Sequence, residues 1–146
     1  MAFTFRFETV LKVRKIREDL ALQAFSKAQH QYLSLVNMRK QKTLARDDLR
    51  RELVARMKRG LSSKDVKQYY DYLSHLEHDI SQLSEYVTSA EIQMNSKRED
   101  LLKAKKDSKA IERLKEIHQE RYQTDQNRKE MRFIDEMAIM RHGGQS

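Results

Sequence analysis

Residues 58–65 of the chain read Lys-Arg-Gly-Leu-Ser-Ser-Lys-Asp, and they predict that one helix ends and another begins within a few residues. Gly60 can adopt the left-handed conformation that closes a helix, and the two basic residues before it suit the negative end of a helix dipole. Ser62, followed three residues later by Asp65, forms a capping-box pattern, although Ser63 is an alternative cap. A stop and a start this close together predict a tight corner.

The remaining composition contains almost no other turn signal. The 146 residues include no Pro, Cys or Trp, and the only other glycines are the pair Gly143 and Gly144. Because turns usually contain Gly or Pro, the chain is expected to form long uninterrupted helices. Disorder is the competing interpretation of a sequence in which 36% of residues are charged. It does not predict the periodic apolar residues that flank the corner.

Two apolar stripes of helical spacing lie on either side of the corner. The first has a mean step close to 3.6 and contains Val10, Val13, Ile16, Leu20, Ala24, Ala28, Tyr32, Leu35, Met38, Ala45, Leu49, Leu53 and Met57. The second keeps a strict alternation of three and four, which is typical of a coiled-coil seam, and is interrupted by Lys97 and Ser108. It contains Val66, Tyr69, Leu73, Leu76, Ile80, Leu83, Val87, Ala90, Met94, Leu101, Ala104 and Ile111.

The predicted fold is therefore all-α, a long two-helix antiparallel coiled-coil hairpin. It forms a single domain over residues 1–142, with helices at about 8–59 and 63–141, a corner at 60–62 and a flexible tail at 143–146. Charge agrees with this pairing: residues 1–60 carry 15 basic and 6 acidic groups, and residues 61–99 carry 4 basic and 7 acidic groups. If residues equally far from the corner lie opposite each other, the second helix extends beyond the start of the first by about 25 residues, or ~40 Å.

The sequence contains no pattern that indicates catalysis or a cofactor. It has no nucleotide-binding loop, nucleophile elbow or zinc-finger spacing, so we predict neither an enzyme nor a metal or cofactor site. His75 and His78 lie three apart but have no third ligand at a recognised spacing. Asp47-Asp48 and Asp135-Glu136 are ordinary solvated pairs. No apolar run approaches the ~20 residues that span a bilayer, and we expect a cytoplasmic protein without a transmembrane segment.

A formal net charge of +8 raises the possibility of nucleic-acid binding. The basic residues of the second helix alternate with acidic ones, however, and those of the first helix face an acidic arm. No recognition motif is present. We therefore predict no specific nucleic-acid partner, and expect a basic surface that is solvated or faces a protein.

Three aromatic or apolar clusters are candidate contacts with other proteins. Phe3, Phe5 and Phe7 either pack on the second helix or form an aromatic docking tip. Tyr70 and Tyr72 cannot both be buried beside Tyr69, and they either pack on the flank or form a binding surface near the corner. The third cluster is the apolar end of the second helix, residues 131–140, which either meets a partner or is covered by the three phenylalanines.

Three stretches resemble the flagellar export protein FliJ family. They are Phe5-Arg-Phe-Glu-Thr-Val-Leu-Lys-Val-Arg14 with Glu18, Arg98-Glu-Asp-Leu-Leu-Lys-Ala-Lys-Lys-Asp-Ser-Lys-Ala-Ile-Glu-Arg-Leu-Lys115, and Ile134-Asp-Glu-Met-Ala138. The length, the corner near Gly60 and the longer second helix are also similar. The resemblance implies a non-enzymatic, central-stalk-like component of the flagellar type III export apparatus, located in the cytoplasm and peripheral to the membrane. Related injectisome stalk proteins share this architecture.

The resemblance also implies particular partners: the hexameric flagellar export ATPase, the membrane-embedded export gate protein FlhA and, as further candidates, export chaperones. The expected ATPase contacts are Phe3, Phe5, Phe7, Arg128, Lys129, Met131, Arg132, Ile134, Met137 and Arg141. The expected export-gate contacts are Leu49, Tyr70, Tyr72 and Leu76. The alternative functions are a basic coiled coil that binds nucleic acid and a generic self-associating scaffold.

Overall fold

The computed structural model describes residues 2–144 and contains two long helices in that part of the chain. Helix α1 spans Glu8–Arg59 and helix α2 spans Ser63–Gly144. The helices pack against each other, and no strand is present in residues 2–144, which confirms the all-α hairpin. Helix α2 includes Gly143 and Gly144, the first half of the predicted tail, and the second half lies outside the described residues. Neither helix is apolar enough over a sufficient length to span a membrane.

The corner is formed by one left-handed glycine and one serine cap. Gly60 has a φ of 94°, and its main-chain N–H donates to the carbonyl oxygen of Met57 at 3.2 Å. The Ser62 hydroxyl oxygen then accepts a hydrogen bond from the Asp65 main-chain N–H at 3.2 Å. Ser62 is therefore the N-cap of α2, and the alternative cap, Ser63, is the first residue of the helix.

The contacts of the chain divide it into two compact units, each of which includes part of both helices. We call residues 20–101 the corner unit, and residues 2–19 together with 102–144 the terminal unit. Each unit is described by itself below. The prediction of a single domain over residues 1–142 stays a prediction.

In the corner unit, α2 buries the heptad positions predicted from its strict alternation. Leu73, Leu76, Val87 and Met94 are each less than a tenth exposed, and Lys97 occupies its heptad position half-buried. A lysine is tolerated there because its aliphatic stem can lie along the seam while the ammonium group reaches water. This half of the hairpin core is confirmed.

Polar contacts across the corner unit fix how the two helices pair. Lys42 pairs with Asp79 at 3.6 Å, Arg50 pairs with Glu77, and the Arg98 guanidinium lies 5.5 Å from the centre of the Phe25 ring. In each pair one residue precedes the corner and the other follows it, and the pairs that are farther from the corner on α1 are also farther from it on α2. The helices are therefore antiparallel, and the basic part of α1 faces the acidic part of α2.

Helix α1 does not use the apolar stripe that we predicted for its first half. Val10, Val13, Ile16 and Leu20 are between 40% and 59% exposed. The less exposed positions instead follow the strict three-four alternation Leu11, Arg14, Glu18, Ala21, Phe25, Ala28, Tyr32, Leu35 and Arg39. The apolar residues did not identify the inner face of α1, because that face includes charged residues with long aliphatic stems. The expected step of 3.6 is wrong for this helix, whose inner face keeps the coiled-coil period.

In the terminal unit, the first residue of α1 and the segment before it both contact α2. Glu8 pairs with Lys115 at 2.9 Å, the Phe5 ring lies 5.5 Å from His118, and the Phe3 ring lies 5.6 Å from Tyr122. The unpaired end of α2 is therefore shorter than predicted. Residues 127–144 are all exposed, a length of about 27 Å.

Candidate partner-binding surfaces

The three phenylalanines of the terminal unit form a cluster on α2 rather than a free tip. Phe5 is only 6% exposed, and its ring meets Phe7 edge-on at 5.8 Å and His118 at 5.5 Å. Phe3 and Phe7 are half-buried. Phe5 therefore has little surface left for a partner while this cluster is intact, and its expected ATPase contact stays a prediction. Phe3 and Phe7 keep some accessible surface.

The apolar end of α2 is not covered by these phenylalanines. Tyr122, the most distant partner of their rings along α2, lies nine residues before Met131, or about 14 Å away along the helix. The side chains of Met131, Phe133, Ile134, Met137, Ile139 and Met140 are 44–72% exposed. The alternative in which the phenylalanines cover this end is therefore wrong. We call residues 131–142 the terminal surface.

The apolar side chains of the terminal surface occupy an unusually wide arc of the helix. With about 100° between successive residues, the positions from Met131 to Met140 cover about half of the circumference, and Ile139 lies on the opposite face. A helix that packs on one neighbour needs an apolar stripe little more than ~100° wide. The terminal surface is therefore suited to contact from more than one side.

Four basic residues lie near this apolar arc, and one of them, Arg141, falls within it. Arg128, Lys129, Arg132 and Arg141 are exposed, and none of them forms an ion pair within residues 2–144. Ile134, Met137 and Arg141 line one concave part of the surface together with Phe133, Ala138 and His142. Phe133 and Ala138 belong to the predicted apolar end, residues 131–140, whereas His142 lies beyond it and was not predicted.

At the corner end, two of the four predicted contacts share a cavity. Leu49 and Tyr72 line an open cavity of about 360 Å³, together with Arg56, Asp65, Gln68 and Tyr69. Tyr72 is 58% exposed. The other two predicted residues do not line it: Tyr70 is 56% exposed but lies outside, and Leu76 is 4% exposed. Leu76 is buried between the paired helices, and a partner contact at this residue stays a prediction.

A small polar cluster joins the two helices beside this cavity. The Tyr69 hydroxyl donates to the Glu52 carboxylate at 3.2 Å, and Arg56 pairs with the same carboxylate at 3.2 Å. The Arg56 guanidinium also lies 5.7 Å from the centre of the Tyr69 ring. Partial burial raises the pKa of the Tyr69 phenol above its usual 10.0; Arg56 opposes this shift and Glu52 adds to it. The cluster holds Tyr69 in place and leaves Tyr72 accessible.

Residues 2–144 contain no group of three or more side chains arranged to hold a metal ion. His75 and His78 are both exposed on α2. The surfaces described above are the candidate functional features of the chain.

Comparison with known proteins agrees with this architecture. The family described as "Flagellar FliJ protein" matches residues 3–146. A flagellar FliJ protein from Bacillus subtilis (strain 168) is 22% identical over 139 residues, which cover 95% of each chain. The solved structure of a YscO homolog, CT670, from Chlamydia trachomatis superposes with a TM-score of 0.66 at 18% identity, covering 97% of this chain and 96% of that one. This structural likeness supports the same fold.

The family match extends over both helices, the corner and the terminal surface. Members of this family are non-enzymatic components of protein export. The chain belongs to the flagellar FliJ family.

Proposed function

We propose that this chain is a central-stalk-like component of the flagellar type III export apparatus, in which its terminal unit binds the hexameric export ATPase. The single observation that supports this most strongly is the terminal surface, an exposed helix end with apolar side chains on about half of its circumference. Leaving such surface in water is unfavourable by ~25 cal/mol per Å². A ring of subunits that encloses the helix would bury it from several sides.

The side-chain chemistry of this end also suits a ring partner. Met131, Met137 and Met140 are unbranched and adapt to differently shaped neighbours, as a single helix must when it faces subunits in different states. Arg128, Lys129, Arg132 and Arg141 can pair with acidic groups on the inner wall of the ring.

We further propose that the corner unit contacts the export gate protein FlhA through Tyr72 and Tyr70, with Leu49 lining the same cavity as Tyr72. Export chaperones are additional candidate partners. The chain would then act in the cytoplasm, at the inner face of the membrane.

The ATPase contact can be tested with two matched triple variants of the full chain. Met131→Ser, Ile134→Ser and Met137→Ser together remove exposed apolar side chains from the terminal surface. Val10→Ser, Val13→Ser and Ile16→Ser remove an equal number of exposed apolar side chains elsewhere in the terminal unit. We expect the first variant to bind the purified ATPase at least 10-fold more weakly, and the second to bind as the unmodified chain does. Equal affinity of both variants would remove the terminal surface from the interface.

Hydrogen exchange gives a second and independent test of the ATPase contact. Main-chain amides of residues 128–140 should exchange rapidly in the free chain because no second helix covers them. Addition of the ATPase should slow their exchange. Protection that is already complete in the free chain would contradict the proposal.

The gate contact requires its own pair of variants. Tyr72→Ala should weaken binding to the cytoplasmic part of FlhA and leave helicity and ATPase binding unchanged. Tyr86→Ala is the control, because Tyr86 is 51% exposed on the same helix but does not line the corner cavity. Loss of helicity in Tyr72→Ala would assign Tyr72 a structural role instead.

A further inference from the structure

The corner unit ends in a group of basic side chains that have no acidic partner. Lys58 and Arg59 occupy the last turn of α1, and Lys64 and Lys67 lie in the first two turns of α2. All four are exposed, and none forms an ion pair within the described part of the chain. Residues 56–67 contain five basic groups and only one acidic group, Asp65. The corner therefore carries a concentrated positive charge.

Several other basic residues of the corner unit have acidic partners. Lys42 pairs with Asp79, Arg50 with Glu77, Arg51 with Asp48 and Arg56 with Glu52. The next acidic residue beyond Lys67 is Asp71, which is exposed and forms no ion pair. The corner, where α1 ends and α2 begins, thus combines four basic side chains that have no ion-pair partner within residues 2–144.

Two apolar side chains lie among these cations. Met57 is 48% exposed and precedes Lys58, and Leu61 is half-buried in the turn itself. Because α2 begins at Ser63, Lys67 lies only about 6 Å along the helix from the corner. The basic and apolar groups therefore lie within a short distance of one end, as in surfaces that meet the headgroup layer of a bilayer.

We propose that this corner surface, formed by Met57, Lys58, Arg59, Leu61, Lys64 and Lys67, docks onto an anionic phospholipid membrane. Each Lys or Arg held near such a surface strengthens binding roughly 5-fold, so the four unpaired cations together supply an attraction on the order of several hundred-fold. The two apolar side chains enter the headgroup layer beside them. This interaction is separate from the protein contacts proposed above, because it does not use Tyr72.

A membrane fits these observations better than a nucleic acid does. Binding to a duplex or single strand uses basic residues spaced along a groove or stripe that follows the phosphate backbone. Here the cations are clustered at one end, and the apolar Met57 has no role in contacts with phosphate. A flat anionic layer matches both the clustering and the apolar side chain.

Co-sedimentation of the full chain with lipid vesicles tests the proposal. We expect binding to vesicles of phosphatidylcholine with about 30% phosphatidylserine, and no binding to pure phosphatidylcholine. The variant K58Q, R59Q, K64Q, K67Q should bind the anionic vesicles at least 100-fold more weakly. The matched variant K103Q, K105Q, K106Q, K109Q removes four exposed lysines of α2 that form no ion pair in residues 2–144, and so has the same net charge. It should bind within about 3-fold of the unmodified chain.

Three outcomes would overturn the proposal: no binding of the unmodified chain to anionic vesicles, equal losses in the two variants, or tighter binding to a DNA duplex than to vesicles at the same salt concentration. An environment-sensitive fluorophore locates the contact without altering any charge. Attached to Ser63→Cys, it should shift to shorter wavelength when anionic vesicles are added. Attached to Ser96→Cys, which is also exposed on α2, it should not shift. Equal shifts at both sites would contradict docking by the corner.

Discussion

The guanidinium group of Arg14 donates a hydrogen bond across 2.9 Å to the main-chain carbonyl oxygen of Asp107. Arg14 stands at a position of the α1 heptad alternation, and Asp107 precedes Ser108, which is 1% exposed. A charged residue therefore ties the two helices of the terminal unit together at a place where the seam contains a small residue.

Arg14→Ala should destabilise the chain by about 1 kcal/mol, because a hydrogen bond from a charged group is lost and a packed aliphatic stem is removed. Urea unfolding followed by circular dichroism measures this difference. Arg17→Ala is the control, since Arg17 is exposed on the same helix and forms no ion pair within residues 2–144. Equal effects of the two substitutions would show that the Asp107 contact contributes nothing.

Leu76→Asp should separate the helices of the corner unit, because a charge without a partner would be placed at a position that is 4% exposed. We expect a loss of ~3 kcal/mol or more. Ile92→Asp introduces the same charge at a position of α2 that is 66% exposed, and should change stability by less than ~0.5 kcal/mol. Thermal unfolding of both variants makes the comparison, and similar melting temperatures would contradict the buried seam.

The antiparallel pairing can be measured directly because the chain has no native cysteine. Spin labels at Lys42→Cys and Asp79→Cys should lie within about 20 Å of each other, since packed helices are 8–10 Å apart. A continuous helix would separate the same positions by about 55 Å. Labels at Asp79→Cys and Ser96→Cys, both on α2, calibrate the helical rise at about 25 Å. A long distance between positions 42 and 79 would refute the hairpin.

The Lys15–Glu112 pair predicts a titration at alkaline pH. The hydrogen bond from Lys15 to Glu112 at 2.9 Å, and then the charge of Glu112, raise the pKa of Lys15 above its usual 10.5. A raised lysine pKa contributes stability below pH 10.5, and this contribution is lost as the pH rises through the pKa of the folded chain. Glu112→Gln should lower the pKa of Lys15, as followed by NMR. Glu18→Gln should lower it less, because Glu18 is a weaker cause, and the reverse order would contradict this pairing.

The sequence was sufficient to predict the corner and the seam of α2, because both follow from local rules. Gly60 and Ser62 have specific backbone roles, and the apolar residues from Val66 to Ile111 keep a strict alternation. The seam of α1 was not predictable from apolarity, because Arg14 and Glu18 occupy inner positions while Val10 and Val13 lie outside. The partner helix determines which face is inner, and a single-helix pattern does not contain that information.

The candidate surfaces were also only partly predictable from the sequence. The exposed end from Met131 to Met140 was expected, since an apolar segment beyond the reach of α1 has no partner in the chain. The burial of Phe5 was not resolved, because a short extended segment before a helix can either pack or project. Its ring contact with His118 depends on how far the start of the chain continues along α2.

The order of the cross-helix pairs about the corner also has a consequence for folding kinetics. Glu52 and Tyr69 are separated by 17 residues along the chain, and Arg50 and Glu77 by 27. The separation between Phe25 and Arg98 is roughly four times that between Glu52 and Tyr69. Closing the longest of these loops first would cost about 1.2 kcal/mol more than closing the shortest. Pairing should therefore start at Gly60 and proceed outward. Leu73→Ala, a change close to the corner, should slow folding, whereas Met94→Ala should mainly accelerate unfolding.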